Sequence, residues 1–311
     1  MRRGDWARHP LITTGPAVIT AKQLETIGMP RRTISRRCEP GGAWQMLLPG
    51  VVLLQNGEPT DEQRIHAGLL HSGTDSILTG VRALGRYGLR NLPDTEEVHV
   101  LVPANRSVSD SGFVHIERSR RLPKPRERAG VPTAPVPRAV IDACRRTPDK
   151  DMVTAMMAES VQRGFCLPRS LADELDEVRR GSSLRSALVP ILGGARSVAE
   201  ADAWNLWQRS DLPACRWNVK IFDANGAFIA QPDGWCGELA FAWEIDSLGY
   251  HAGDASFRDT LARNARYAAA GIVVLQTLPS RLRSEPGKVV AELRAASDSA
   301  RLRPRPDVRL G

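Results

Sequence analysis

The chain has 311 residues, too many for one ordinary core, and reads as two or three domains. Its 42% hydrophobic and 25% charged residues describe a globular protein, and no apolar run approaches the ~20 residues that span a bilayer. A net charge of +8 points to a polyanionic partner, with nucleic acid ahead of a membrane surface because no basic amphipathic helix stands out.

The opening "MRRGDWARHP" has no apolar h-region, so export is not expected. Five scattered cysteines (Cys38, Cys144, Cys166, Cys215, Cys236) contain no CxxC pair. Neither a zinc knuckle nor a disulfide framework is signalled, and the expected setting is a reducing cytoplasm.

Residues 1–60 are expected to form a helical unit with a hairpin. In "ITAKQLETIG", Thr20 is an N-cap and Gln23 completes a capping-box spacing. Leu24 and Ile27 share an apolar face, and Gly28 is a C-terminal stop. "RRTISRR" then reads as a short helix exposing Arg31, Arg32, Arg36 and Arg37. "AWQMLL" and "VVLLQ" are strand-like runs joined at Pro49-Gly50. Helix, tight turn, basic helix and hairpin is the order of a winged helix-turn-helix. In such a unit the second helix enters the major groove, where arginines meet phosphates or guanine edges.

Residues 61–190 read as a mixed α/β domain. "DEQRIHAGLLHSG" and "SILTGVRALGRYGL" have helical spacing, whereas "EEVHVLVPA" alternates Val98, Val100 and Val102 as a half-buried strand. "GFVHIERS" is its expected partner, and "RAVIDACRR", "DKDMVTAMMAESVQRG" and "PRSLADELDEVRR" are helical. His66, His71, His99 and His115 share no metal-ligand spacing and read as surface or core histidines.

Gly193-Gly194 marks the start of a last domain, 191–311. "SVAEADAWNLWQRS" is an amphipathic helix with Ser197 near its cap and Glu200 in its first turn. Trp204 and Trp207 on it read as core. "RWNVKIFDANGAFIAQPDG" is a hairpin turning at Asn225-Gly226, and "ELAFAWEID" is a further strand. A helix over "FRDTLARNARYAAAG", a buried strand "IVVLQTL" with Gln276 near its end, and a final helix "EPGKVVAELRAAS" follow. The Arg/Pro-rich tail "RLRPRPDVRLG" is expected to be disordered. The fold class is therefore α/β, mixed and multidomain.

Three stretches carry a family resemblance. Leu24, Gly28, Ile34, Arg36, Trp44 and Pro49-Gly50-Val51 resemble the winged-helix domain of the AbiEi family of type IV toxin–antitoxin antitoxins. "AGLLHSGTDSILTGVRALGRYGL", "EEVHVLVPANR" and "GVPTAPVPRAVIDA" are similar to the domain that follows it in actinobacterial members. Glu200, Pro232-Asp233, Glu244-Ile245-Asp246, Tyr250-His251 and "FRDTLARNARYAAAGIVVLQ" resemble a Vsr-type, PD-(D/E)XK-like nuclease domain, a restriction-endonuclease-like sheet flanked by helices. The resemblance spans nearly the whole chain. It implies double-stranded DNA as partner, autoregulation of the chain's own promoter, and an antitoxin role opposite a nucleotidyltransferase-like toxin.

The acids of the last domain suit a hard cation. Alternate strand residues share a face, so Glu244 and Asp246 point one way while Trp243 and Ile245 point into a core. Asp233 ends the preceding strand and is expected opposite Glu244. Asp233, Glu244 and Asp246 would ligate Mg²⁺ or Mn²⁺, with Glu200 completing the shell and His251 as general acid or base. The PD-(D/E)XK pattern usually places Lys where Asp246 stands; Lys220, Arg258 and Arg263 are the alternative cations. Three readings stay open at this point: an active metal nuclease, a silent nuclease-like fold used for binding, and ordinary surface acids.

Overall fold

The structure is a computed structural model that describes residues 5–14, 17–177, 182–245 and 254–311. The chain divides into two compact units, Met1–Pro148 and Asp149–Gly311, each mixed α/β. The expected boundaries at 60 and 190 do not coincide with this division.

In the first unit a 3-10 turn (Asp5–Arg8) and a short helix α1 (Pro10–Thr13) precede strand β1 (Val18–Thr20). Helix α2 (Ala21–Thr26) starts on a reciprocal cap: Gln23 N donates to Thr20 Oγ1 at 3.1 Å, and Thr20 N donates to Gln23 Oε1 at 2.9 Å. Helix α3 (Arg31–Arg37) buries Ile34 alone among its seven residues, so its polar positions face outward. β2 (Gln45–Leu48) and β3 (Val51–Leu53) join β1 in an antiparallel sheet of order β1-β3-β2. Leu24, Ile27, Met29, Ile34, Trp44 and Val52 form the core beneath the two helices.

Helix α4 (Asp61–Ser72), capped by Thr60 and Gln63 in the same reciprocal way, packs on that small sheet and on a larger one. Its approach is close: a Cβ on Gly68 would lie 2.9 Å from Val98 Cγ1. The larger sheet has the order β6-β5-β4-β8-β7. Its strands are β4 (Ile77–Thr79), β5 (Val98–Pro103), β6 (Val114–Ser119), β7 (Arg126–Arg128) and β8 (Val131–Thr133). β5 and β6 are parallel, as are β4 and β8. The alternation expected for β5 is not seen. Val98 through Val102 are all buried, because an interior strand of a mixed sheet is covered on both faces.

Helices α5 (Gly80–Tyr87) and α6 (Val136–Arg146) pack together against this sheet. Helix α6 is locked by buried charge. Asp142 is 1% exposed, accepts from Thr79 Oγ1 at 2.7 Å, and meets Arg138 Nε at 2.8 Å. Arg138 also reaches Glu117 on β6 at 3.0 Å.

The second unit opens with helices α7 (Lys150–Gln162), α8 (Pro168–Asp176), α9 (Ser182–Leu192) and α10 (Val198–Gln208). Its main sheet has the order β14-β13-β12-β9, from β9 (Arg216–Trp217), β12 (Gly234–Cys236), β13 (Phe241–Ile245) and β14 (Val273–Thr277). β12 runs antiparallel to both neighbours, and β13 runs parallel to β14. Helix α11 (Asp254–Ala269) lies between β13 and β14 in sequence, as a parallel pair requires. Helices α12 (Pro279–Ser284) and α13 (Pro286–Arg301) follow.

Strand β13 alternates. Phe241 and Trp243 pack with Trp207, Leu282 and Leu293, while Ala242 packs with Trp235 and Tyr267 on the other face. Trp207, at 3% exposure, is core as its spacing suggests. The Asn225-Gly226 turn joins β10 (Ile221–Asp223) to β11 (Phe228–Ala230). The tail expected to be disordered instead supplies β15 (Val308–Leu310), which pairs antiparallel with β10. The open edge of β10 offers backbone partners, and Val308 packs against the cluster around Ile221. Among the described residues, no helix is long and apolar enough to cross a membrane.

Removing one partner of a buried ion pair leaves the other charge stranded. Arg138→Met should therefore destabilise the first unit by about 3 kcal/mol, measured by urea unfolding; an unchanged midpoint would contradict the role given to Asp142.

Candidate functional site

The acids of the second unit gather around the end of β13. Asp233 lies one residue beyond the paired Gly234 and Trp243, and its Oδ2 accepts from Ile245 N at 2.7 Å. The β12–β13 register thus sets Asp233 beside Glu244, as the alternation of the two strands implies. Glu244 is 3% exposed. Its Oε1 accepts from Tyr267 Oη at 2.7 Å and lies 3.5 Å from Arg263 Nε. Both partners come from α11, four residues apart, and so share one helix face.

Burial pushes the Asp233 carboxyl up to about 7. Nearby Glu200 and Glu244 push the same way, while the Ile245 N–H and Arg263 act against them. Burial and Glu244 also raise the Tyr267 hydroxyl far above its ordinary value, so it stays a proton donor to that carboxylate.

Glu200 is engaged locally. Its backbone N donates to the cap residue Ser197, and its carboxylate accepts from Ser197 Oγ at 3.1 Å and Arg196 N at 3.0 Å. Asn218, in the left-handed region at φ 56°, donates to Glu200 Oε2 at 2.6 Å, and its own N–H donates to the Asp233 carbonyl at 3.0 Å. Asn218 therefore ties the helix acid to the strand acid.

Of the expected site residues, Glu200, Asp233 and Glu244 come into one neighbourhood; Asp246 and His251 lie outside the described residues. Of the three alternative cations, Arg263 is the one set against Glu244. Gln276 is paired in register with Glu244 across the parallel strands and donates to Asn264 at 3.2 Å. Tyr267 was not legible as a site residue, since its role depends on α11 crossing that face of β13.

In the first unit, Arg31, Arg32 and Arg36 are exposed on α3, and Arg31 makes one long ion pair with Glu25 at 4.0 Å. Arg37 differs. Its guanidinium stacks between Trp6 (4.9 Å) and Trp44 (4.6 Å), fastening α3 to the preceding segment and to the hairpin.

The histidines hold a further arrangement. Parallel pairing of β5 and β6 sets His99 opposite His115, with ring centroids 4.8 Å apart. With Glu117 they form the one set of three among the described residues whose ligand atoms lie within 4.8 Å of one another; Glu200, Asp233 and Glu244 do not draw together that closely. His99 Nε2 is 3.2 Å from Glu117 Oε2, within ionic range but outside hydrogen-bond geometry. Arginines already serve this cluster: Arg138 and Arg145 reach Glu117, and Arg146 Nη1 is 3.2 Å from His115 Nε2. Burial would raise Glu117, yet His99, Arg145 and Arg138 hold it down at about 2. The cluster reads as the ion-pair lock of α6.

The raised Asp233 pKa has a stability consequence. A carboxyl raised in the fold contributes stability that is complete below its unfolded value and is lost as pH rises through about 7. Asp233→Asn should therefore match wild type near pH 4 and exceed it at pH 8, by at most about 4 kcal/mol. Urea unfolding at the two pH values checks this; an equal shift at both would contradict the assignment.

No family model matches the chain, and no curated protein matches it. A solved structure described as the RV2827C protein from Mycobacterium tuberculosis is similar over 64% of this chain and 80% of that one, at 18% identity and a TM-score of 0.44.

Proposed function

We propose that the chain is a DNA-binding regulator of the AbiEi antitoxin type, reading duplex DNA through α3 and carrying a nuclease-like second unit. The observation that carries the reading is a short helix with one buried side chain and exposed Arg31, Arg32 and Arg36, set between a capped helix and a β-hairpin. That order supports a winged helix, whose second helix lies in the major groove. Exposed arginines contribute little to folding and are free to meet phosphates and base edges. In this reading the chain acts on its own promoter, and a nucleotidyltransferase-like toxin is its protein partner.

A second reading, a metal-dependent DNA endonuclease, is favoured by the acids at the end of β13. Asp233 and Glu244 from neighbouring strands offer hard oxygen donors of the kind Mg²⁺ and Mn²⁺ take. A bound divalent ion would supply charge stabilisation to a phosphodiester. Asp233 would have to lose its proton to take part, so ion affinity would rise as pH passes through about 7. Arg263 would set positive charge beside Glu244, in a chain that has Asp246 where the PD-(D/E)XK pattern usually places Lys.

Two outcomes are expected. Arg31→Ala with Arg36→Ala should lower the slope of log K against log[salt] for duplex DNA by about 1.8, since each phosphate contact contributes roughly 0.9. Arg37→Ala should instead lower the melting temperature, because its guanidinium is spent on Trp6 and Trp44. An unchanged salt slope in the double variant would remove α3 as the DNA element. For the second reading, supercoiled plasmid with Mg²⁺ or Mn²⁺ should be cut by wild type and spared by Glu244→Gln, with DNA affinity kept. No cutting by wild type in either metal leaves the regulator reading alone.

A further inference from the structure

The eleven residues from Arg118 to Arg128 contain six arginines and lysines against one glutamate, a local excess of five where the whole chain carries +8. Arg118, Arg120, Arg121, Lys124, Arg126 and Arg128 are all exposed. The stretch connects β6 to β7, the two opposite edges of the five-stranded sheet.

Register fixes how far this connection must reach. Ile116 pairs with Val100, Val100 with Leu78, Leu78 with Thr133, and Thr133 with Arg126, so Arg126 stands in the row of Ile116. Arg126 therefore lies four strands across from Ser119 and three residues back along the sheet. The connection bends at Arg120 and Arg121, where Arg121 N donates to Ser119 Oγ at 3.2 Å, and then runs without a turn from Leu122 into β7. Pro123 and Pro125 suit that run, since each fixes its own φ and biases the residue before it, Leu122 or Lys124, towards extended backbone.

Both ends are fastened. The Arg118 guanidinium donates to the carbonyls of Arg106 (2.8 Å) and Val108 (2.7 Å), and Arg128 stacks on Tyr87 at 4.7 Å. Between them Arg120 is displayed at the bend and Lys124 and Arg126 on the run that follows it, all three exposed. Basic side chains on an exposed edge strand can serve simply to block pairing with another sheet. That account covers Arg126 on β7 but not Arg120 and Lys124, which belong to no strand.

We propose that Arg118–Arg128 is a second nucleic-acid surface, a basic strap whose cations meet the phosphate backbone of duplex DNA. Exposed cations on a segment fastened at both ends can meet successive phosphates, and ordering that segment costs little because the fold already holds its ends. The proposal shares with the regulator reading only the choice of duplex DNA as partner; it does not require that α3 make the contact.

The test is fluorescence anisotropy of a fluorescein-labelled duplex of scrambled sequence, titrated with full-length protein between about 50 and 200 mM salt. Arg120→Ala, Lys124→Ala and Arg126→Ala combined should lower the salt slope by about 2.7, weaken binding at least about tenfold near 100 mM salt, and leave circular dichroism unchanged. Should that variant melt early, Arg120→Gln with Lys124→Gln repeats the test with an expected loss of about 1.8 in slope. A strap variant with wild-type slope overturns the proposal, and it does so independently of the outcome for Arg31 and Arg36. A flattened slope in the strap variant beside an unchanged slope in the α3 variant would keep the strap and remove α3 as the reading element. Vesicles of phosphatidylserine serve as the competing anionic surface. Strap-dependent binding to them, with no strap-dependent binding to duplex, also overturns it.

Discussion

Glu244, a carboxylate at 3% exposure, is the most deeply buried charge among the described residues of the second unit, and its neighbours are arranged around it. Glu244 sits in a strand whose other residues face cores on both sides, so water cannot solvate it. Burying an unpaired charge would cost several kcal/mol. Tyr267 and Arg263 offset that cost from α11. They can do so because β13 and β14 run parallel and their connecting helix must cross that face. The same register brings Asp233 to one side of Glu244 and Gln276 to the other. A polar cluster in such a place is rarely kept for stability alone, since apolar residues of similar size would hold the sheet as well or better.

The first unit handles charge differently. Its buried Arg138 and Asp142 and the half-buried Glu117 are satisfied by one another and by Thr79, and they fix α6 to the sheet. Its exposed cations on α3 and between β6 and β7 are left outside that network. Exposed charges of this kind contribute little to folding, whereas they dominate the approach and binding of a polyanion. Two arginines of these segments are stacked on aromatic rings instead. Arg37 lies between two indoles and Arg128 over a phenol, in contrast to their neighbours Arg36 and Arg126.

Local chemistry made part of this legible in the sequence. The capping box of Thr20 and Gln23, the turn at Asn225-Gly226 and the alternation of Trp243 with Glu244 are all written within a few residues and are all present. What the sequence hid depends on contacts between distant segments. His99 and His115 have no suggestive spacing, and only parallel pairing of their strands makes them neighbours. Tyr267 reads as an ordinary apolar helix position until α11 is laid over β13. The tail's Val308–Leu310 is too short a run to announce a strand, and it becomes one because β10 has an open edge. That the basic connection from β6 to β7 joins the two edges of the sheet likewise follows from strand order, which no local pattern records.

Hydrogen exchange of the full chain with and without duplex DNA tests the central claim most directly. Binding through the first unit predicts slower exchange at residues 31–37 and 118–128, lost again when salt is raised. Protection confined to the second unit, or none at a concentration of duplex that saturates anisotropy, would contradict it.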